Sequence, residues 1–543
     1  MTNIAFYGSH NAAYAIERDG ELLVNLELER FLDYKNSGIA QYKTAKVCDI
    51  VFLSKFIPKF LMDKYNIDKF DNCYFCNTQV IMDNVTHRLE HNIPADNYIT
   101  KLHHESHALC TFYQSPFDKA LIFSFDGGGN DGKFNIYTCQ RGEDPQLITR
   151  VLGPNQNDTQ THLTYVGYDL GFPYMVFGHY LKDIHFEALS EGNLVYPGKV
   201  MGLAPYGKVR DEWLQHFIDF YNSQPDGNDY QEKIDVLGEN INVEFNTADD
   251  KRLTGDVAYD IAATSQAAIE ACFFKVADKY VKEYPDLPIC ITGGCALNII
   301  LNTKASERYD VPVFVGPSPN DCGIALGMLL GHMKPQEPVD CTYAGLTLTD
   351  IDTLGSYIQN NSHTSYDVDI PTVVKDIIDG KIVGVARGRS ETGPRALGNR
   401  SIICNPTIPD MKDILNHKVK HREWYRPFAP VCRLEDVNDY FEWSKESTWM
   451  SFCPLVKTEW CDRLPSITHV DRSARVQTVT REQNEWLYDL LTEMKKQSGV
   501  GVLLNTSFNV NGKPILSTVK DAFKIFTESE MDCLIVENSY FVK

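Results

Sequence analysis

Two histidines, His103 and His107, have the spacing of a metal-ligand pair. Residues four apart on a helix lie one turn apart on the same face, so both imidazoles can reach a single divalent cation. Further along the chain, the largely apolar run Leu121–Phe125 ends in Asp126, and Gly127–Gly129 follows. This pattern predicts a buried strand and a turn whose backbone can approach a phosphate closely. The residues therefore indicate a metal site beside a phosphate-binding turn.

The same residue types have structural alternatives. Histidines at this spacing also occur as packing residues in cores and on surfaces, and both interpretations stay open at this point. His104 is a rival ligand, but on a helix it points off the face that His103 and His107 share. Asp321 is predicted to begin a helix over 324–330, where it is either a helix cap or a further metal ligand.

Composition and charge limit the class of protein. A chain of 543 residues is too long for one core, so two to four domains are expected. The formal net charge of −21 argues against a protein that coats nucleic acid non-specifically. The 15 scattered cysteines indicate reduced thiols and a cytoplasmic location, which is the host cytoplasm if the source is a phage. Neither a signal peptide nor a membrane-spanning run is expected.

The N-terminal part of the chain is predicted to form strands joined by turns. Ile4–Tyr7, Ala12–Ile16 and Leu22–Leu26 are predicted strands, with a hairpin turn at Asp19–Gly20. Such an opening is typical of RNase H-like nucleotide folds. Residues 40–100 are predicted to be mainly helical and irregular.

Later segments are predicted to form a second hairpin and further helices and strands. Phe134–Tyr137 is predicted as the second arm of another hairpin, which suggests a duplicated sheet. Residues 255–282 are predicted to be helical, and a short strand then runs into Thr292–Asn298 with two glycines. Lys199 lies in a glycine-punctuated turn, where it is either a phosphate contact or a solvated lysine at a helix start.

The last part of the chain has a different chemical character. Residues 334–365 read as a connection to a second domain that is rich in arginine. Its arginine motifs are Gly388–Ser401, Arg422–Pro430 and Arg475–Thr478, and Leu503–Asn509 adds an amide and hydroxyl motif. Arginine forks bind phosphate oxygens in pairs, so these motifs indicate a small anionic substrate. Salt-bridge partners in an acidic protein are the alternative.

Taken together, these motifs resemble one known family. The set is His103-x3-His107, Ser124–Gly127, Gly198–Ala204, Gly293–Asn298, Gly393–Ser401, Arg426–Pro430 and Leu504–Asn509. In this order they resemble the O-carbamoyltransferases of the nodulation-factor, tobramycin and cephamycin type, over nearly the whole chain from Ile4 to Lys543. A single motif such as Gly-Gly-x-Ala-Leu-Asn would be weak evidence. Seven motifs in the same order as in the family make a chance resemblance improbable.

The resemblance implies an α/β protein of two domains. Residues 1–345 are similar to Kae/TsaD proteins, with the actin-like ATPase fold of two RNase H-like halves and the metal and nucleotide site. Residues 346–366 would form a linker, and residues 367–543 are similar to YrdC. The implied activity is ATP-dependent carbamoyl transfer. The second domain makes carbamoyl-adenylate from carbamoyl phosphate and ATP, and the first passes the carbamoyl group to an acceptor hydroxyl.

The resemblance also implies the roles of individual residues. The family's metal, usually iron, is expected as Fe(II), with Mn, Zn or Mg as alternatives, on His103, His107, Asp126 and Asp321. The nucleotide contacts are expected from Gly127, Gly128, Lys199, Gly293, Gly294 and Asn298. The carbamoyl phosphate contacts are expected from Arg395, Arg426, Arg475, Asn505 and Ser507. His10 matches the histidine near the transferring carbonyl and is the candidate general base, and Lys35 matches an acceptor contact.

The identity of the acceptor is less constrained. The family's usual His-Asp at the first turn is His10-Asn11 here. The preference for Lys, Asn, Asp, Ile and Tyr suggests an AT-rich genome, such as that of a bacteriophage. Phage relatives carbamoylate hydroxymethylated pyrimidines, so 5-hydroxymethylcytosine, in DNA or as a nucleotide, is the first candidate. A sugar or antibiotic hydroxyl and a tRNA threonylcarbamoyl-adenosine-type reaction are the alternatives, and a homodimer is compatible with the sequence.

Overall fold

The protein has two compact units, Met1–Cys341 and Thr342–Lys543. The computed structural model describes residues 1–37, 55–76, 92–151, 169–184, 193–222, 230–360 and 364–543. The segment 346–366, predicted as a linker, lies inside the second unit, where it contains a helix and most of an edge strand. Among the described helices, none is both long and apolar enough to cross a lipid bilayer.

The first unit is built on two five-stranded sheets. The first sheet contains β1 Thr2–Tyr7, β2 Ala13–Arg18, β3 Glu21–Glu27, β4 Phe70–Cys76 and β5 Ala95–Lys101. The second contains β6 Lys119–Gly129, β7 Gly132–Gln140, β8 Gln146–Val151, β9 Ile289–Thr292 and β10 Val313–Phe314. Their orders are β3-β2-β1-β4-β5 and β8-β7-β6-β9-β10. In both, an antiparallel meander of three strands is followed by two strands parallel to its first strand.

This repeated topology confirms the predicted α/β fold with two RNase H-like halves. The β2–β3 turn also forms as predicted, because Asp19 and Gly20 both adopt positive φ, at 52° and 84°. Two consecutive positive φ values are the requirement of a tight hairpin turn.

One secondary-structure prediction is wrong. In the described part of 40–100, one helix, Ile57–Tyr65, is accompanied by the strands β4 and β5. β5 has the sequence Ala-Asp-Asn-Tyr-Ile-Thr-Lys and is largely exposed or half-buried, so it lacks an alternating apolar signal. Its pairing with β4, and the pairing of β4 with β1, create these strands through tertiary contacts.

In the described part of the first unit, ten α-helices accompany the two sheets. They are α1 Leu28–Leu32, α2 Ile57–Tyr65, α3 His103–Gln114, α4 Gly171–Val176, α5 Tyr196–Leu203, α6 Asp211–Asn222, α7 Tyr230–Ile241, α8 Gly255–Glu283, α9 Ile299–Arg308 and α10 Ile324–Met333. The buried face of α10 packs on Tyr7, Ala13 and Tyr74 of the first sheet. This packing brings the N-terminal end of α10 to the end of β1.

The second unit has one eight-stranded mixed sheet. Its order is β11 Thr364–Asp367, β18 Ser539–Val542, β17 Cys533–Val536, β12 Val383–Ala386, β13 Arg400–Cys404, β16 Val502–Ser507, β14 Ala429–Arg433 and β15 Gln477–Val479. Its α-helices are α11 Leu354–Asn360, α12 Ile370–Ile378, α13 Met411–Ile414, α14 Val437–Tyr440, α15 Thr458–Cys461, α16 Glu485–Ser498 and α17 Val519–Glu528, and a π-helix spans Leu415–Lys420. α12 and α16 bury their apolar faces against the centre of the sheet.

Candidate metal centre and anion site

The four predicted metal ligands come together in the first unit. His103 and His107 lie on α3, Asp126 ends the paired part of β6, and Asp321 lies in the turn before α10. α3 and α10 pack closely because Gly327 has no side chain. A Cβ there would lie 1.9 Å from the carbonyl oxygen of Ser106. This close approach places the start of α10 against the histidine face of α3.

The ligand atoms of this cluster lie within 4.8 Å of one another. The Nε2 atoms of His103 and His107 are 3.1 Å apart. His107 Nε2 is 3.4 Å from Asp126 Oδ2 and 3.3 Å from Asp321 Oδ1. Two imidazole nitrogens and two carboxylates suit Fe(II), Mn(II) or Zn(II).

Burial and charge set the protonation of the cluster. Burial lowers the pKa of His103 to about 4, so its imidazole is neutral. Burial would also lower the pKa of His107, but contacts with Asp126 and Asp321 raise it to about 9. Despite the opposing effect of burial, His107 holds the pKa of Asp126 below its usual range. Both carboxylates are therefore ionised, and the protonated His107 balances part of their charge in the metal-free protein. A divalent cation would take over this role once His107 loses its proton.

The two ligand histidines are oriented by packing. Within the described residues, the Nδ1 atoms of His103 and His107 are buried without a hydrogen-bond partner. The backbone of Gly129 lies against the His103 ring. The start of α3 is held by the next turn, since Asn130 Oδ1 accepts the His103 N–H at 3.0 Å and Asp131 Oδ1 accepts the His104 N–H at 2.9 Å. The loop after Asp126 thus positions the histidine helix.

Gly129→Ala tests this packing. The added Cβ would lie 2.6 Å from the His103 ring, on atoms that cannot move without turning the ligand. We expect the free energy of unfolding to fall by about 1–3 kcal/mol and metal affinity to fall with it. Urea unfolding without metal and metal titration would measure both effects. In Gly355→Ala the new Cβ meets open space, so this control should be neutral or stabilising.

The predicted glycine turns surround Asp126. Asp126 Oδ1 accepts the Gly127 N–H at 2.5 Å, and Oδ2 accepts the Gly294 N–H at 2.6 Å. Gly293 has φ 88°, and a Cβ there would lie 2.2 Å from Phe125 O. Gly171 approaches as closely, because its Cβ would lie 2.6 Å from the Gly127 nitrogen. Backbone from three segments therefore packs closely together around Asp126 beside the metal cluster, an approach that only glycine permits.

The remaining predicted nucleotide residues differ in position. Gly128 lies in the same turn as Gly127 and has φ 151°. Asn298 caps α9, its side chain accepting the Leu301 N–H at 3.1 Å, and it also bonds to Gln266. Lys199 lies on α5 with only 4% of its surface exposed, which contradicts the alternative of a solvated lysine.

The first turn lies beside the metal cluster. His10 Nδ1 is 3.4 Å from Asp321 Oδ2 and 3.1 Å from Asn11 Oδ1. Asn11 Nδ2 donates to Asn36 Oδ1 at 3.2 Å, which places the turn carrying Lys35 next to the His10 turn. Both neighbours of His10 Nδ1 are side-chain oxygens, so this nitrogen faces acceptors of Asp321 and Asn11.

His104 has a different environment from the ligand pair. Its Nδ1 is 2.9 Å from Ser124 Oγ, and its Nε2 is 3.0 Å from the Gly132 carbonyl oxygen. Both nitrogens are engaged away from the cluster, as the helix geometry predicted.

The predicted arginines of the second unit form a cluster of positive charge. Burial and the nearby Arg395, Arg422 and Arg426 lower the pKa of Arg475 well below its usual range. Burial and Arg426 lower the pKa of Arg395 to about 10. The structure shows no hydrogen bond or ion pair for the guanidinium of Arg395 or Arg475 with any described residue, and Arg475 Nε is buried without a partner. Arg426 contacts Glu423 Oε2 at 3.3 Å, so one carboxylate lies beside the cluster. The guanidinium groups of Arg395 and Arg475, which have no such partner among the described residues, form a candidate site for an anion.

An amide and a hydroxyl motif lie on the adjacent strand. Asn505 Nδ2 donates to the Ala396 carbonyl at 3.1 Å and to Gln477 Oε1 at 2.7 Å, whereas Asn505 Oδ1 is buried without a partner in the described structure. Ser507 Oγ is 3.2 Å from Lys420 Nζ. Asn505 Oδ1 is therefore available to accept a hydrogen bond from an N–H group of a ligand. Lys420 adds positive charge beside Ser507.

Sequence reasoning assigned no individual role to several residues that lie at these sites. Tyr7 donates to Asp321, Lys420 contacts Ser507, Arg422 joins the arginine cluster and Gln477 holds Asn505. Arg422 and Gln477 lie inside arginine motifs found in the sequence, and Lys420 lies just before Arg422, so these motifs were an available signal. Tyr7 carries no local signal, because its partner is distant in sequence.

Comparison with known proteins identifies the family of the chain. Family models described as "Carbamoyltransferase N-terminus" and "Carbamoyltransferase C-terminus" match residues 71–330 and 374–543. Nodulation protein NolO of Bradyrhizobium diazoefficiens is 33% identical, with 80% of this chain and 77% of the relative covered. Nodulation protein NolNO of Sinorhizobium fredii is 30% identical, with 98% of this chain and 79% of the relative covered. Full-length HypF, solved with phosphate and nucleotide, is 14% identical at a TM-score of 0.33 and covers 61% of this chain and 46% of that chain. The chain belongs to the carbamoyltransferase family and is a carbamoyltransferase.

Proposed function

We propose that the protein is an ATP-dependent O-carbamoyltransferase that works through carbamoyl-adenylate. The carrying observation is the arginine cluster, in which Arg395 and Arg475 have no carboxylate partner in the described structure. A phosphate group supplies the missing negative charge, and Arg426 completes the set. Asn505 Oδ1, which has no partner among the described residues, accepts a hydrogen bond from the carbamoyl N–H. Carbamoyl phosphate carries both features in one molecule.

The first reaction is proposed for the second unit. Water cleaves carbamoyl phosphate to carbamate and phosphate. A carbamate oxygen then attacks the α-phosphorus of ATP, and the bond to the β-phosphate oxygen breaks. The products are carbamoyl-adenylate and pyrophosphate. Ser507 and Lys420, which lie together, orient the carbamoyl phosphate.

The second reaction is proposed for the first unit. The glycine turns at Gly127, Gly128, Gly293 and Gly294, with Lys199 and Asn298, receive the adenylate. His103, His107, Asp126 and Asp321 would hold a metal, proposed as Fe(II), which would supply positive charge to stabilise the adenylate leaving group. The acceptor hydroxyl oxygen attacks the carbamoyl carbon, its proton passes to His10 Nε2, and AMP leaves. Lys35, whose turn adjoins that of His10, contacts the acceptor.

The proposed acceptor is 5-hydroxymethylcytosine, in DNA or as a nucleotide. The net charge of −21 disfavours binding of duplex DNA, so a DNA target would reach the site through a locally basic cleft or as a base turned out of the duplex. The protein, carbamoyl phosphate and ATP would be incubated separately with hydroxymethylcytosine DNA, the free nucleotide and an aminoglycoside. A mass gain of one carbamoyl group identifies the acceptor, and no gain on DNA or nucleotide excludes this one.

The same assay tests the reaction itself. Pyrophosphate release should require carbamoyl phosphate. Release that instead requires threonine and bicarbonate would contradict the proposal and identify a threonylcarbamoyl-adenylate chemistry.

A further inference from the structure

Tyr7 joins the two halves of the first unit at the metal cluster. It ends β1, and its hydroxyl donates a hydrogen bond to Asp321 Oδ2 at 2.5 Å. Tyr7 is 1% exposed and Asp321 is 2% exposed, so water has little access to this bond. The Tyr7 ring also meets the His103 ring edge-on, with centroids 5.8 Å apart. One side chain thus contacts two of the four candidate ligands.

The two oxygens of Asp321 have different neighbours. Oδ1 faces the histidines, at 3.6 Å from His103 Nε2 and 3.3 Å from His107 Nε2. Oδ2 faces away from them, to the Tyr7 hydroxyl and to His10 Nδ1 at 3.4 Å. A carboxylate that is free to rotate could exchange its oxygens or present both to a cation. The short bond to a buried phenol removes that freedom.

We propose that Tyr7 is a positioning residue that holds Asp321 as a one-oxygen metal ligand, with Oδ1 toward the cation. This inference rests on the metal site of the proposed function. Tyr7 itself is not one of the four candidate ligands. It sets the orientation of a ligand that follows β10 of the other sheet.

Tyr7→Phe removes the hydroxyl and keeps the ring. We expect the affinity for Mn(II), measured by competition with a chelator, to fall about 10- to 100-fold, the usual effect of losing an outer-shell partner of a metal ligand. The paramagnetic resonance spectrum of bound Mn(II) should change as well, because the carboxylate can now coordinate through either or both oxygens. Carbamoyl-phosphate-dependent pyrophosphate release should stay at the wild-type level.

Tyr113→Phe is the matched control. Tyr113 lies on α3, the same helix as the histidines, and its hydroxyl donates to the Glu143 carbonyl at 3.2 Å. Both variants lose one buried tyrosine hydrogen bond, but only Tyr7→Phe should weaken Mn(II) binding. Equal Mn(II) affinity in the two variants overturns the role of Tyr7. If the wild-type protein binds no Mn(II), Fe(II) or Zn(II), the metal site itself is wrong and the role of Tyr7 falls with it.

Discussion

Arg475→Met is expected to abolish carbamoyl-phosphate-dependent pyrophosphate release and to stabilise the ligand-free protein. Methionine keeps an unbranched apolar stem and removes the charge. Arg475 is crowded by Arg395, Arg422 and Arg426, and the described residues supply no hydrogen bond or ion pair to its guanidinium. Loss of a guanidinium that binds phosphate in a desolvated site should cost about 3 kcal/mol or more, a fall in activity of at least ~100-fold.

The stability change should have the opposite sign. Without an anion, the arginine cluster repels itself, so removing one charge should raise the free energy of unfolding by about 0.5–2 kcal/mol. Thermal unfolding with and without carbamoyl phosphate would measure it. Carbamoyl phosphate should stabilise the wild-type protein and leave the variant almost unchanged.

Arg481→Met is the control for this experiment. Arg481 is an exposed arginine of the same unit, and it pairs with Glu485 and Asp489 on the surface. It should retain activity and the response to carbamoyl phosphate. Normal pyrophosphate release by Arg475→Met would show that the cluster does not bind the substrate.

His107→Ala is expected to abolish metal binding and transfer to the acceptor while pyrophosphate release continues. His107 Nε2 contacts both candidate carboxylate ligands, at 3.4 Å and 3.3 Å. Its removal leaves two buried carboxylates with one imidazole, which should lower metal affinity by at least about 100-fold and stability by about 3–5 kcal/mol. Metal analysis after gel filtration and a carbamoyl-transfer assay would measure the loss.

His104→Ala separates ligand loss from general destabilisation. His104 is also buried on α3, but it bonds to Ser124 and Gly132. This variant should lose stability and keep its metal. Retention of metal by His107→Ala, or its loss in both variants to the same degree, would contradict the assignment of the ligands.

Local sequence was enough to find the chemistry-bearing residues. The four-residue spacing of His103 and His107 matches one helix turn, and the structure puts them on one face of α3. The apolar run before Asp126 and the hairpin signal at Asp19–Gly20 also predicted local structure correctly. These signals are reliable because the periodicity of a helix, or the φ values of a turn, depend on residues close in sequence.

Sequence could not separate the arginines by role. Arg400 and Arg395 share one motif, yet the Arg400 guanidinium is buried against the backbone carbonyls of Arg387, Gly388, Asn399 and Leu346. Arg395 has no such acceptor among the described residues and joins the cationic cluster. Both residues are arginines of one motif. Only the backbone carbonyls that other segments place around Arg400, and not around Arg395, distinguish a structural arginine from a candidate binding one.

The sequence by itself determined which side chains can bind a metal and an anion, and the strand and helix signals that carry most of them. The tertiary structure decided how those side chains are paired and oriented. β4 and β5 form because β1 offers a pairing edge, and Asp321 presents one oxygen to His103 and His107 while Tyr7, 314 residues away, holds the other. Such contacts have no periodicity along the chain, because packing between the two halves creates them.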